Sequence, residues 1–346
     1  MAEAAEGLAI VIVSYNSAAH LPALLQELLG QMNDGDELVV VDNDSRDDSV
    51  TIASSVSNRV RVIESGRNLG FGGGCHSGAA VTRASLLLFL NPDSIPAAGC
   101  LERLRSAATA HPDWGAWQGA VLMGDERINT DGGVVHFTGI AWAGHCGRPT
   151  SELPAGPREI AFPSGAAMVI RRSVWDELGG FDPEFFMYCE DSDLGLRVWL
   201  SGRSVGVVPE ARVEHSYDFS KGTAKWFFLE RNRLRTVLSV YPPVLLTILA
   251  PALAALELVL LAVAARQGWL PSKLRADAAV LRELGAIHRR RRRVQRARRI
   301  GERAFAVRLT GTVDSDYLGI DPASTPARLQ ASYWRLAQGA LALIAR

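Results

Sequence analysis

Four short apolar runs, residues 8–13 (LAIVIV), 37–41 (ELVVV), 60–63 (VRVI) and 85–90 (SLLLFL), constrain the fold of this chain more than any other feature. Each is bounded by turn or polar residues, as expected of strands buried on both faces. Helical patterns lie between them. Residues 18–29 set Leu21, Leu24, Leu25, Leu28 and Leu29 along one side, and residues 45–56 open with Ser45 in a capping position. Strand and helix alternating in this way imply an α/β chain with a mostly parallel central sheet and a Rossmann-like N-terminal half. Ligands of such sheets gather at the carboxyl ends of the strands.

Polar residues stand at those ends. The first run leaves Ser14, Tyr15 and Asn16, the second Asp42 and Asn43, the third Arg67 and Asn68 before Gly70–Gly74, and the fourth Asn91 and Asp93. A nucleotide diphosphate-sugar needs such groups. Asp42 can accept from a pyrimidine N–H or a ribose hydroxyl, Tyr15 can lie against a base, and Arg67 with the amides of the glycine run can face phosphate. The glycine run could also be a turn before a helix around 76–83, since it matches neither dinucleotide nor P-loop spacing. Asp93 can hold a divalent cation that neutralises a departing diphosphate, or it can cap a helix starting near Ala97.

The chain has 346 residues, of which 48% are hydrophobic and 21% charged, enough apolar material for one large α/β domain and an appendage. Its four cysteines, Cys75, Cys100, Cys146 and Cys189, are too scattered for a disulfide framework or a zinc site, which favours a reducing compartment. Glu3 and Glu6 open a terminus without the pattern of a signal peptide, so the expected location is the cytoplasmic face of the plasma membrane. The overall charge of zero conceals a separation. Residues 1–265 hold 20 basic and 31 acidic side chains, whereas 266–308 hold 14 and 3. Between the acidic and basic parts, Pro242–Ala265 carries only one charge, Glu257. Its prolines and Glu257 suggest a helical hairpin lying in the membrane interface over a simple span. The run Arg289–Arg293 would suit anionic lipid headgroups; no stacking aromatics or nucleic-acid motif accompany it, so nucleic acid is not an expected partner.

The ordered series VIVSYNS, VVVDNDS, RNLGFGGG, LFLNPDS and GGFDPEFFMYCEDSDLGLRV, over roughly residues 8–240, resembles the family 2 glycosyltransferases of the GT-A nucleotide-sugar fold. Within that family it looks most like bacterial rhamnosyltransferases that use dTDP-rhamnose in cell-wall or polysaccharide assembly. The resemblance implies a donor site from Ser14, Tyr15, Asn16, Asp42, Asn43, Arg67, Asn68, Asn91 and Asp93. Where many relatives carry Asp-x-Asp this chain has Asn91-Pro92-Asp93, leaving Asp93 as the direct ligand of Mg²⁺ or Mn²⁺ and Asn91 as a weaker helper; His215 matches a position that can complete the metal site, or it is a structural histidine. The resemblance also implies that Asp191 is the general base and Glu190 a helper, with Phe186 and Met187 on the acceptor side. The acidic pair could instead simply cap a helix over 191–200.

One base and no isolated second carboxylate imply inversion rather than a double displacement. Arg231, with Arg233 and Arg235 on a helical pattern, could meet phosphate on an acceptor or form a solvated basic face. The expected organisation is a catalytic domain over 1–240 (donor half 8–95, acceptor half 96–240), a membrane-associating segment of apolar helices and basic residues over 241–308, and a tail over 309–346. The expected partners are a nucleotide-sugar, a lipid-linked acceptor such as polyprenyl-diphosphate-GlcNAc, and an anionic membrane surface; a homo-oligomer stays open. The rival readings are a same-fold transferase using UDP-galactofuranose or UDP-glucose, and a catalytically idle membrane scaffold.

Overall fold

A computed structural model describes residues 7–124, 126–216, 225–315 and 323–344. Strands and helices alternate as β1 (Leu8–Ser14), α1 (Leu21–Gln31), β2 (Glu37–Asp42), α2 (Ser49–Val56), β3 (Val60–Glu64), α3 (Gly70–Ala80) and β4 (Leu86–Leu90). The four strands pair in parallel in the order β3-β2-β1-β4. Alternation along β1 divides the core into two layers. Leu8, Ile10 and Ile12 pack with Leu21, Leu24 and Leu28 of α1, while Ala9, Val11 and Val13 pack with Cys75 and Ala79 of α3.

Two boundaries differ from the sequence expectation. The glycine run is not a turn before a helix but the first turns of α3 itself. A Cβ at Gly74 would lie 2.6 Å from Val13, and one at Gly78 2.3 Å from Val11, so glycine lets this helix lie directly on β1. Ser45 does not cap α2, whose N-cap is Asp48; its hydroxyl accepts from the Asn16 amide instead, at 2.9 Å.

The second half adds β5 (Ser94–Pro96), α4 (Cys100–Ala110), β6 (Trp114–Met123), β7 (Arg127–Thr130), β8 (Gly133–Val135), β9 (Ala141–Ala143), β10 (Arg158–Glu159) and β11 (Ala167–Arg171). It continues through α5 (Arg172–Leu178), α6 (Glu190–Leu200), β12 (Ser204–His215) and α7 (Lys225–Val240). Antiparallel β11 joins β4 to β6, β12 runs parallel to β6, and β10 closes that edge; β8 and β9 form a separate two-stranded sheet. Asp93 does not cap a helix. It leads into β5, and α4 begins at Cys100 after Gly99 in the left-handed region.

Beyond α7 come α8 (Pro243–Gln267), α9 (Leu270–Arg282), α10 (Leu284–Arg296), α11 (Glu302–Ala306) and α12 (Thr325–Ile344). The apolar stretch is a single helix with Pro251 inside it, not a hairpin. The segment expected to be a tail contributes α12, whose Trp334 and Leu341 pack with Phe137, Leu245 and Leu249. These helices are also tied to the catalytic half by buried charge. Arg233 pairs with Glu230 at 2.9 Å and with Glu257, and Lys273 of α9 pairs with Glu230 at 2.9 Å, with Asp277 at 2.8 Å and with Glu257. Arg233 and Arg235 therefore form no solvated basic face: both are buried and ion-paired. Of the arginine run, Arg290 is buried against Asp182 and Asp193, and Arg291 donates to the carbonyls of Leu238 and Tyr241. Residues 217–224, within the stretch expected to be helical before Tyr241, lie outside the described residues, as do Glu3 and Glu6.

Candidate active site

A cavity of about 480 Å³ opens where the carboxyl end of β4, the start of α6 and the β7–β9 region meet. Asn91, Met187, Glu190, Asp191 and His215, from three separate stretches of the sequence, all line it. At its β4 end the Asp93 carboxylate lies 3.1 Å from His215 Nε2, and Asn91 Nδ2 lies 3.3 Å from the same nitrogen. The final residues of β12 pair with β5, with His215 opposite Ser94, so the sheet register itself brings His215 to Asp93. Burial works against ionisation of Asp93, but the hydrogen bond and charge of His215 outweigh it and hold the carboxyl below its usual value.

The acidic pair sits at the first turn of α6. One Asp191 oxygen accepts from the Ser192 amide at 2.7 Å and the other from the Gly165 amide at 3.3 Å. Glu190 is buried, and its Oε2 has no hydrogen-bond partner. These environments separate two otherwise similar acids. Burial, then the charges of Asp191 and Asp193, push Glu190 up to about 8. Burial raises Asp191 to about 6, against the pull of its amide donors. Glu190 is thus the more strongly raised of the two, because Asp191 has amide donors that favour its charged form and Glu190 has an unpartnered oxygen. Asp193 does not belong to this pair. It is ion-paired with Arg197 at 2.7 Å and Arg290 at 2.5 Å, which fixes α6 from below.

The approach to α6 is wound tightly, with Phe186, Tyr188 and Cys189 all in the left-handed region. Asn232 of α7, fully buried, donates its side-chain amide to the carbonyls of Phe185, Met187 and Tyr188 at 3.0, 2.9 and 2.9 Å. Gly70 completes the clamp from the other side. Its φ is +73°, a Cβ there would meet the Phe186 carbonyl oxygen at 2.2 Å, and the neighbouring Phe71 amide donates to that oxygen at 2.8 Å. Phe186 itself stacks on Phe228 and does not line the cavity. Arg231 is likewise turned away: it donates to the Glu184 carbonyl at 2.8 Å and pairs with Glu283 at 3.0 Å.

The residues at the other strand ends form an adjoining edge. Ser14 and Asp42 are buried, and Asp42 uses one oxygen on the Ser45 amide at 3.0 Å while Oδ1 has no partner. Tyr15 is half exposed, and Arg67 and Asn68 are exposed. Asn16 accepts from the Arg46 amide at 2.8 Å. Asn43 accepts from the Leu69 amide and donates to the Gly70 carbonyl, both at 3.0 Å, so its side chain braces the loop into α3. Sequence reasoning missed Asn129, Thr130, Trp142 and Ser164, which line the cavity from the β7–β9 region and the turn before β11. No motif marks them, because short irregular strands carry no periodicity.

Residues 9–179 match the model of glycosyl transferase family 2. The chain is a glycosyltransferase built on a family 2 domain. It is similar to the N-acetylglucosaminyl-diphospho-decaprenol L-rhamnosyltransferase of Mycobacterium tuberculosis, 27% identical over 244 residues that cover 62% of this chain and 78% of that one. The O-antigen chain rhamnosyltransferase RfbN of Salmonella typhimurium is 24% identical over 238 residues, covering 61% and 67%. Among solved structures, GalNAc-T7 with UDP, GalNAc and Mn²⁺ aligns at a TM-score of 0.59 and 16% identity over 69% of this chain and 49% of that one. The mannosyltransferase PcManGT of Pyrobaculum calidifontis, in complex with GDP-Man and Mn²⁺, aligns at 0.51 and 15% identity over 97% and 87%. The glycosyltransferase has the GT-A fold, with a C-terminal helical region added to it.

Proposed function

We propose that this glycosyltransferase moves rhamnose from dTDP-rhamnose to the sugar of a polyprenyl-diphosphate-GlcNAc acceptor, with inversion at the anomeric carbon. The observation that carries the inverting chemistry is the adjacent buried pair in the cavity, where Asp191 accepts from the Ser192 and Gly165 amides while Glu190 has an unpartnered oxygen and is raised further. Asp191 takes the proton from the acceptor hydroxyl as its oxygen bonds to the anomeric carbon and the bond to the diphosphate breaks. Glu190, when protonated, offers a hydrogen bond in place of a second negative charge. No arginine or lysine lines the cavity among the described residues, which suits an uncharged acceptor sugar with its diphosphate outside. The rhamnosyltransferase names of the relatives support the choice of sugar and of lipid-linked acceptor.

Asp93 and His215 fit a divalent cation, Mg²⁺ or Mn²⁺, as one carboxylate oxygen and one imidazole nitrogen converging within 3.1 Å. The described residues contain no group of three or more His, Cys, Asp or Glu able to hold a metal, so the rest of the coordination shell falls to the donor's phosphates. The cation would supply charge neutralisation for the leaving diphosphate. In this reading exposed Arg67 meets the donor's phosphate, and the unpartnered oxygen of Asp42 accepts from its nucleoside hydroxyl or N–H.

The test is a donor screen on the purified full chain with polyprenyl-diphosphate-GlcNAc and Mg²⁺ or Mn²⁺, with the product's anomeric configuration determined by NMR. dTDP-rhamnose should be turned over with inversion, and Asp93→Asn should abolish the metal-stimulated rate. Turnover of UDP-galactofuranose or UDP-glucose in its place would replace the donor assignment. Full activity of Asp93→Asn with a chelator present would remove the cation from it.

A further inference from the structure

Pro243–Gln267 is, among the described residues, the one helix long and apolar enough to cross a bilayer, yet its contacts run the wrong way for a span. Its buried residues, Leu245, Leu249, Leu256 and Ala264, extend from the first turn to the last, so one side rests on the protein along its whole length. The amides of Val244 and Leu245 donate to the Glu302 carboxylate at 3.1 and 2.7 Å. Tyr333 of α12 donates its hydroxyl to the Ile248 carbonyl at 2.5 Å. Midway along, Glu257 is paired with Arg233 and Lys273, themselves part of a network with Glu230 and Asp277. Crossing the membrane in this fold would draw five charged side chains toward hydrocarbon, where each is costly.

The opposite side of α8 is apolar and uncovered, with Pro251, Leu258 and Val259 exposed, the two larger side chains at 70% and 56%. Beside it, α12 exposes Leu329, Leu336 and Leu343 at 66, 74 and 76%. Their seven-residue spacing makes two helical turns, so they form one stripe. The charge on these two helices is one-sided. Glu257 is consumed internally, no other acid occurs in either helix, and Arg266, Arg328 and Arg335 are exposed.

We infer that α8 and α12 together form a membrane-seating face that lies on an anionic bilayer without crossing it. The inference rests on the lipid-linked acceptor proposed above, and it adds Arg266, Arg328 and Arg335 to the electrostatic contact expected of the Arg289–Arg293 run, of which Arg289, Arg292 and Arg293 are exposed. Two adjacent helices that expose large apolar side chains, with arginine as their only exposed charges, fit a lipid surface with anionic headgroups. In this arrangement the acceptor's lipid stays in the bilayer while its sugar reaches the catalytic cavity.

The test uses the full chain and vesicles of phosphatidylcholine with or without phosphatidylglycerol. Sedimentation with anionic vesicles should weaken about 100-fold when Arg266, Arg328 and Arg335 are all changed to Gln, taking about fivefold for each arginine. Leu258→Glu with Leu336→Glu should abolish it, while transfer to a short, water-soluble acceptor stays at the wild-type rate. Single cysteines at Thr247 and Gln267, introduced by substitution, should both react with an impermeant maleimide added outside the vesicles, above the labelling of the parent chain. Labelling of only one helix end would show a span and overturn the inference. So would unaltered vesicle binding in the leucine variants, or a lipid-free dimer that those variants dissociate. Loss of transfer to the soluble acceptor by the wild-type chain would instead strike the catalytic reading, whatever the vesicles show.

Discussion

Changing Glu190 to glutamine separates the two carboxylates of the cavity without removing volume, and its effect should depend on pH in a definite direction. Burial and the charges of Asp191 and Asp193 raise this carboxyl from 4.5 to about 8. That difference corresponds to a cost on the order of 5 kcal/mol for holding the ionised form in the fold. Because the folded chain binds the proton more tightly than the unfolded chain, Glu190 is harmless below pH 4.5 and progressively destabilising as pH rises to about 8. Glutamine has no charge to gain. The melting temperature of Glu190→Gln minus that of the wild type should therefore grow between pH 5 and 9, by roughly 10 °C at about 2 °C per kcal/mol for a chain of this size. Scanning calorimetry at unit pH steps measures it. The rate adds a second reading: wild-type kcat/KM should fall on the acid side with the Asp191 value of about 6 and on the alkaline side with the Glu190 value of about 8. Glu190→Gln should keep the acid limb and lose the alkaline one. Asp191→Asn should lose about 10²–10⁴-fold in kcat while still binding donor nucleotide by calorimetry. A melting difference that stays flat from pH 5 to 9, or a Glu190→Gln enzyme without turnover beside an active Asp191→Asn, would refute the division of roles.

Two further substitutions probe how the site is held. Gly70→Ala puts a Cβ 2.2 Å from the Phe186 carbonyl oxygen at a φ of +73°, so it should lower kcat and destabilise the fold by about 2 kcal/mol in urea titration. Arg290→Met removes one of the two arginines on buried Asp193 and should cost about 3–5 kcal/mol by the same measurement; a loss below about 1 kcal/mol would mean that α10 does not secure α6.

The donor half was legible because each of its strands is a short continuous apolar run ending in polar residues, and pattern alone fixes both features. Motif order likewise carried Asp93, Glu190, Asp191 and His215, although nothing in the sequence brings positions 93 and 215 to 3.1 Å; the pairing of β5 with β12 does that. The glycine run was ambiguous in sequence because a missing Cβ serves phosphate approach and helix packing equally well. The position of α3 against Val11 and Val13 shows the packing use at Gly74 and Gly78. The arginines show the limit most clearly. Arg231, Arg233, Arg235 and Arg290 look in sequence like a surface for phosphate or lipid, yet all four are buried against carboxylates. A linear sequence states how many charges a segment carries, whereas partnership depends on which acids the tertiary fold brings within reach, and Glu230, Glu257, Glu283, Asp182 and Asp193 come from five separate places in the chain. By itself, then, the sequence determined the strands of the donor half and the chemical types at the site. The upward shift of Glu190 and the inward turn of Arg231, Arg233, Arg235 and Arg290 were decided by burial, a property that belongs to the packed chain alone.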